Sequence, residues 1–148
     1  MKMRYIPLLL VISILLSSVQ AADSGKEFLA DFVIGKYLLV GKKVDSFATY
    51  FGHVELFNGH GSLKIKRHIG GKTVLGQATI ESAVQGDATV LRMRFDDNGA
   101  AYENNCLIQS DLDNYARISC YLYQPGVRTL NPGLEVLFID HGENASMR

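Results

Sequence analysis

This sequence is short of most features that announce a function. It has no net charge, with 15 basic residues against 15 acidic. It therefore lacks the positive excess with which proteins grip nucleic-acid phosphates, and no nucleic-acid partner is expected. There is no Pro- or Ser-rich linker, no low-complexity tract and no repeat of about 20–50 residues, so one compact domain is expected. The longest apolar run, Ile6–Leu16, covers 11 residues, short of the roughly 20 that a membrane-spanning helix needs. Cysteine is limited to Cys106 and Cys120, and tryptophan is absent.

What the N-terminus does contain is the pattern of a signal peptide. Lys2 and Arg4 precede the apolar run, and Val19-Gln20-Ala21 has the small residues that signal peptidase requires. The expectation is that residues 1–21 are removed and that residues 22–148 form a single soluble domain, secreted or periplasmic. A retained signal anchor is the alternative. Without Lys2 and Arg4, the 15 basic residues fall to 13 against 15 acidic, a net charge of −2. An even cysteine pair in an exported chain reads as a disulfide.

The remaining chain alternates. Apolar residues recur at every second position in Val54–Leu56, Leu63–Ile65, Val74–Ile80 and Leu91–Phe95, which is the period of a strand with one buried face. Between them lie the turn-forming stretches NGHG (58–61), GG (70–71) and QGD (85–87). Paired residues in a hairpin share a face. A turn at Gly59-His60 would set Leu56 opposite Leu63 and Val54 opposite Ile65. Gly70-Gly71 would set Ile65 opposite Gly76 and Arg67 opposite Val74. Gln85-Gly86 would set Ile80, Ala78 and Gly76 opposite Leu91, Met93 and Phe95. One apolar set then shares a single face across four strands.

The same register settles KIKRHIGGKTV (64–74), whose GGKT tail imitates a phosphate-binding loop. Lys66 stands where such a loop needs its first glycine, and no helix opens after the threonine. The stretch is a hairpin, with Lys64, Lys66 and His68 on its outer face and Glu55 expected opposite Lys64.

Eight strands are predicted, at about 34–40, 50–57, 62–69, 72–81, 88–95, 102–110, 115–123 and 134–140. A short N-terminal helix precedes them, where Ser24 and Glu27 fit a capping box. The fold class is all-β: an eight-stranded antiparallel up-and-down barrel. Gly76 and Ala78 facing Phe95 and Met93 suggest a tapered interior with room for one small ligand.

The stretch Ile108-Gln-Ser-Asp-Leu-Asp-Asn-Tyr-Ala-Arg-Ile-Ser-Cys120 resembles the second signature of the lipocalins, a Thr-Asp-Tyr-x-x-Tyr core joining the sixth and seventh strands. Ser110, Asp111 and Leu112 stand for its first three residues and Tyr115 for the last. Gly35-Lys36-Tyr37 approximates the Gly-x-Trp signature of the first strand, with tyrosine for tryptophan. The third signature, an arginine followed by a C-terminal helix, is not found. The resemblance spans residues 24–140 and implies a divergent lipocalin-like, calycin-type barrel lacking that closing helix. With Asp111–Tyr115 as the turn, Ile108 opposes Ile118 and Cys106 opposes Cys120, close enough to bridge.

No catalytic constellation stands out. No serine lies in a nucleophile elbow. His53 and His68 project outward beside Glu55 without a convincing third ligand, and no metal is expected. Asp96-Asp97-Asn98-Gly99 lacks EF-hand spacing and reads as a polar turn. Asn144-Ala145-Ser146 is a glycosylation sequon, meaningful only in a eukaryotic host. Arg67 is the single charge on the inner face. It is expected either to meet a ligand's carboxylate or phosphate at the barrel mouth or to snorkel at the rim.

These features point to a non-enzymatic exported protein, without cofactor, that binds a small apolar or amphipathic molecule such as a fatty acid. Val54, Leu56, Leu63, Ile65, Arg67, Val74, Ile80, Leu91, Met93, Phe95, Ile108 and Ile118 are the expected lining. The alternative is a secreted interaction protein or hydrolase inhibitor with a filled barrel, meeting its protein partner through loops 41–50 and 124–132. An isomerase or dehydratase of the calycin type lacks a convincing acid–base pair.

Overall fold

The computed structural model describes residues 25–108 and 117–142. The expected signal-peptide segment 1–21, the expected cap Ser24, the expected turn at Asp111–Tyr115 and the Asn144 sequon lie outside the described residues. Eight antiparallel strands form a closed barrel in sequence order, the last bonded to the first. They are β1 (Gly35–Lys42), β2 (Thr49–Asn58), β3 (Leu63–Ile69), β4 (Lys72–Ala83), β5 (Ala88–Asp97), β6 (Ala100–Leu107), β7 (Arg117–Tyr123) and β8 (Gly133–Ile139). A short helix, α1, spans 25–32.

Local turn chemistry sets most of the register. Gly70 and Gly71 take φ of 58° and 79°, and Asn98 and Gly99 take 52° and 78°, the left-handed pairs that a two-residue hairpin demands. Ile65 pairs with Gly76 and Arg67 with Val74, and Ile80, Ala78 and Gly76 pair with Leu91, Met93 and Phe95, as the alternation predicts. The β4–β5 connection is longer than a two-residue turn. Val84–Gly86 form a 3-10 turn between the paired Ala83 and Ala88, but its centre, and hence the register, is unchanged.

The β2–β3 register differs from expectation. Leu56 pairs with Ile65 and Val54 with Arg67, two residues away from the predicted partners. The connection is a four-residue loop, not a two-residue one. Asn58 Oδ1 accepts from Gly61 N at 3.0 Å, Ser62 Oγ donates to Gly59 O at 3.1 Å, and Gly59 N donates to Ser62 O at 2.8 Å. A slip of two leaves every side chain on its face, so the inner set survives while Glu55 meets Lys66 in place of Lys64.

The inner face is filled over the half of the barrel nearest α1. Leu39, Val54, Leu56, Ile65, Leu91, Met93 and Leu137 are at most 1% exposed, with Val33 plugging the end beneath them. The Tyr37 hydroxyl donates to Val33 O at 2.7 Å and ties that plug to β1. Burial pushes the Tyr37 phenol up to about 12. Gly76 does not widen the interior as the sequence suggested. A Cβ there would stand 2.3 Å from Arg94 O and 2.9 Å from Phe95 Cβ, so the glycine permits close approach of the β4 and β5 backbones.

Cys106 and Cys120 pair across β6 and β7 and are joined by a disulfide, with both side chains facing inward and buried. On the outer wall Glu103 accepts from Arg94 Nε at 2.7 Å, and Glu81 accepts from Arg94 Nη1 at 2.8 Å. With Arg92 beside them, these charges brace β4, β5 and β6 on the outer wall, around a Glu103 that the neighbouring side chains largely bury. Among the described residues, no helix is long and apolar enough to cross a membrane.

Candidate functional site

Strand alternation brings four polar side chains to one level of the interior. Tyr50 comes from β2, Arg67 from β3, Asn104 from β6 and Glu135 from β8. Glu135 is fully buried and Arg67 is 3% exposed. Arg67 Nη1 donates to Glu135 Oε2 at 2.9 Å and Nη2 to Oε1 at 2.5 Å. Asn104 Nδ2 donates to Oε2 at 2.6 Å, and the Tyr50 hydroxyl donates to Oε1. Four donors thus saturate one carboxylate.

Burial alone would raise the Glu135 pKa. The facing Arg67 charge and the hydrogen bonds from Arg67, Tyr50 and Asn104 overcome it and hold the carboxyl below its ordinary range. Burial and the adjacent carboxylate push the Tyr50 phenol well above its ordinary value. Burial disfavours the Arg67 cation, but Glu135 more than restores it. Glu135 stays ionised, Tyr50 neutral and Arg67 charged. The guanidinium carbon also stands 4.1 Å from the centroid of the Phe95 ring, whose other neighbour is Tyr102 at 5.6 Å, nearly parallel.

Above this cluster the barrel is hollow. A cavity of about 600 Å³ opens toward the β1–β2, β3–β4, β5–β6 and β7–β8 connections. Arg67, Tyr50 and Phe95 line its floor, Val44, Ile69, Tyr102 and Leu122 its walls, and Lys43 and Lys72 its rim. Lys72 is bound to Asp97 and to Asn98 Oδ1, the latter at 2.7 Å. The Asn104 Oδ1 accepts nothing although it is buried.

The expected lining residues separate into groups. Arg67 and Phe95 border the cavity. Val54, Leu56, Ile65, Leu91, Met93 and Ile118 belong to the packed core, and Leu63, Val74, Ile80 and Ile108 lie partly buried against it. Arg67 faces inward near the mouth as its register implied, but it neither snorkels nor carries a free charge, because Glu135 neutralises it. Glu135 and Tyr50 escaped the sequence reading. The signal was present: in GLEVLFI (133–139), Glu135 shares parity with Leu137, and a lone inward acid calls for the lone inward arginine.

Loops 41–50 and 124–132 meet at the cavity mouth. Asp45 N donates to Asn131 O at 2.9 Å, and Asp45 Oδ1 accepts from Leu130 N at 2.9 Å and Asn131 N at 2.7 Å. His53 and His68 are directly paired on the outer face, with His53 Nδ1 4.0 Å from Asp140 and His68 Nδ1 3.0 Å from Thr73 Oγ1. No group of three metal-ligating side chains occurs among the described residues.

Neither family models nor curated protein sequences match this chain. Fold and site define its class: a closed eight-stranded antiparallel β-barrel, compatible with the calycin architecture, with a single-ended cavity above a buried ion pair.

Proposed function

We propose that this protein is a non-enzymatic carrier that takes a small amphipathic molecule into the mouth of a lipocalin-like barrel. The cavity over the Arg67–Glu135 floor carries this reading. Its volume of about 600 Å³ falls within the range of about 300–1,000 Å³ typical of small-molecule sites. Phe95, Tyr102, Ile69 and Leu122 offer the apolar wall, and Lys43, Tyr50 and Arg67 offer polar groups. Because the half below is packed, the occupant is compact or folded and does not run down the barrel axis.

Binding is favoured over acid–base catalysis by the protonation states. A catalytic acid or base works best when poised near the operating pH. Here Glu135 is driven down, Tyr50 is driven up, and their polar atoms are engaged with each other and with Arg67. The packed lower half agrees with an interaction protein built on a solid barrel, but the hollow upper half favours a carrier. The signal-like N-terminus and the disulfide support export to an oxidising compartment.

Native mass spectrometry of the protein purified gently from its own host tests this. A bound mass released on denaturation is expected, and it should disappear in Val44→Trp, which fills the mouth from a half-exposed loop position. Bare protein that also excludes an apolar fluorescent probe would overturn the carrier reading.

A further inference from the structure

The rim of the cavity exposes side chains that water does not favour. Phe47 is 92% exposed, Leu130 75%, Phe51 70% and Leu134 43%. Single exposed apolar residues are ordinary, but these four occupy one side of one end of the barrel. Phe47 and Leu130 sit on the two loops that Asp45 joins. Phe51 and Leu134 lie near the mouth ends of β2 and β8, and the residues they pair with, Val40 and Lys42, are both on β1.

The loops are preorganised rather than slack. Besides the three Asp45 bonds, Lys43 N donates to Ala48 O at 3.0 Å, and Ala48 N donates to Ser46 Oγ at 3.0 Å. Phe47 therefore sits on a turn closed by backbone, Ser46 and Asp45 hydrogen bonds, with its own ring 92% exposed. Such a tip gains nothing from folding.

Charge at this rim has one sign to spare. Lys43 and Arg128 are exposed and appear in no ion pair among the described residues. Loops 41–50 and 124–132 together carry Lys42, Lys43 and Arg128 against a single acidic residue, Asp45, whose carboxylate is turned to two backbone N–H groups. Apolar tips beside unspent cations are the composition of a surface that enters the headgroup layer of an anionic bilayer. A protein partner would be met better by a continuous concave or flat apolar patch with a polar border, whereas Phe47 and Leu130, the two most exposed of the four, stand on loops outside the strands.

We infer that this end of the barrel docks on anionic lipid surfaces, with Phe47 and Leu130 entering the interface and Lys43 and Arg128 meeting lipid phosphates. The inference stands on the loops and does not require an occupied cavity. It would, however, set the cavity mouth against the source of an amphipathic ligand.

Co-sedimentation of the purified protein with vesicles of equal parts phosphatidylglycerol and phosphatidylcholine tests it, against vesicles of phosphatidylcholine alone. Binding to the mixed vesicles is expected, weakening as salt rises. Phe47→Ser and Leu130→Ser should each lower it by about tenfold, and Arg128→Gln by about fivefold. The serine substitutions are at exposed positions, so an unchanged circular dichroism spectrum accompanies the loss. Failure to sediment with either vesicle would overturn the inference, as would binding that Phe47→Ser leaves intact. A dimer dispersed by Phe47→Ser, or a soluble protein captured through Phe47 while vesicles are ignored, would assign the surface to those partners instead.

Discussion

Arg67 and Glu135 are 68 residues apart in the chain and lie on strands that are not neighbours, yet their side chains meet end to end inside the barrel at 2.9 and 2.5 Å. The pair is the dividing plane of the molecule. Below it the interior is apolar and full, and above it the interior is aromatic, polar and open. Desolvating two charges is costly, and their attraction offsets that cost only when the remaining hydrogen-bonding positions are also filled. Tyr50 and Asn104 fill them on the Glu135 side.

Removing one partner should therefore be worse than removing both. Glu135→Leu leaves Arg67 buried and unpaired, and we expect a loss of about 3–5 kcal/mol in urea unfolding. Arg67→Met combined with Glu135→Leu should recover most of that loss. A double variant as unstable as the single one would show that the cluster matters for something other than charge pairing.

Stability should also respond to acid in a definite direction. The folded Glu135 pKa is lowered relative to the unfolded chain, so its ionised form contributes stability above the unfolded carboxylate value of about 4.3. That contribution is lost as pH falls through the lower folded value. Urea midpoints should drop steeply below about pH 4 in the parent and more gently in Arg67→Met/Glu135→Leu. Glu81, also lowered by its hydrogen bond to Arg94, is largely solvated and should leave only a weak residual slope. Equal slopes in the two proteins would remove Glu135 as the acid-sensitive group.

The disulfide closes a loop with a sequence separation of 14. In the chain-entropy model such a loop stabilises by about 3 kcal/mol. Cys106→Ala/Cys120→Ala should lose at least that much, because two buried sulfurs are also removed from the core. A thermal melt of the parent with and without a strong reductant gives the same comparison without mutation. A negligible difference would mean that the β6–β7 hairpin is held by packing alone.

Gly76 provides a test of that close approach. Alanine would place a Cβ against the carbonyl of Arg94, a backbone atom that cannot swing aside. We expect Gly76→Ala to cost about 1–3 kcal/mol, the range for overpacking a formed core. The same substitution at Gly25, where nothing lies within 4 Å, should be neutral or slightly stabilising. If Gly76→Ala is equally harmless, β4 can shift locally without loss.

The parts of this protein legible in its sequence are those decided by short-range chemistry. A period of two fixes which residues of a strand share a face, and glycine or asparagine with positive φ fixes where a hairpin turns. The eight strands and two of the hairpin registers follow from these alone, and the pairing of Cys106 with Cys120 follows once the lipocalin resemblance places the turn between them. The β2–β3 register did not, because Asn58 and Ser62 bond into the loop and lengthen it, an effect of side-chain geometry that the glycine pattern does not display.

Two outcomes required closure of the barrel. Parity placed both Arg67 and Glu135 on the inner face, but only the curvature that bonds β8 to β1 carries them across the lumen to each other. Likewise, the apolar inner residues looked equivalent along the strands, and whether they enclose space depends on how their volumes meet in three dimensions. Near α1 large side chains and the Val33 plug fill the cross-section, while at the other end the rings of Phe95 and Tyr102 stack along the wall and leave it open. Sequence by itself determined the wall, and tertiary packing decided where that wall is hollow.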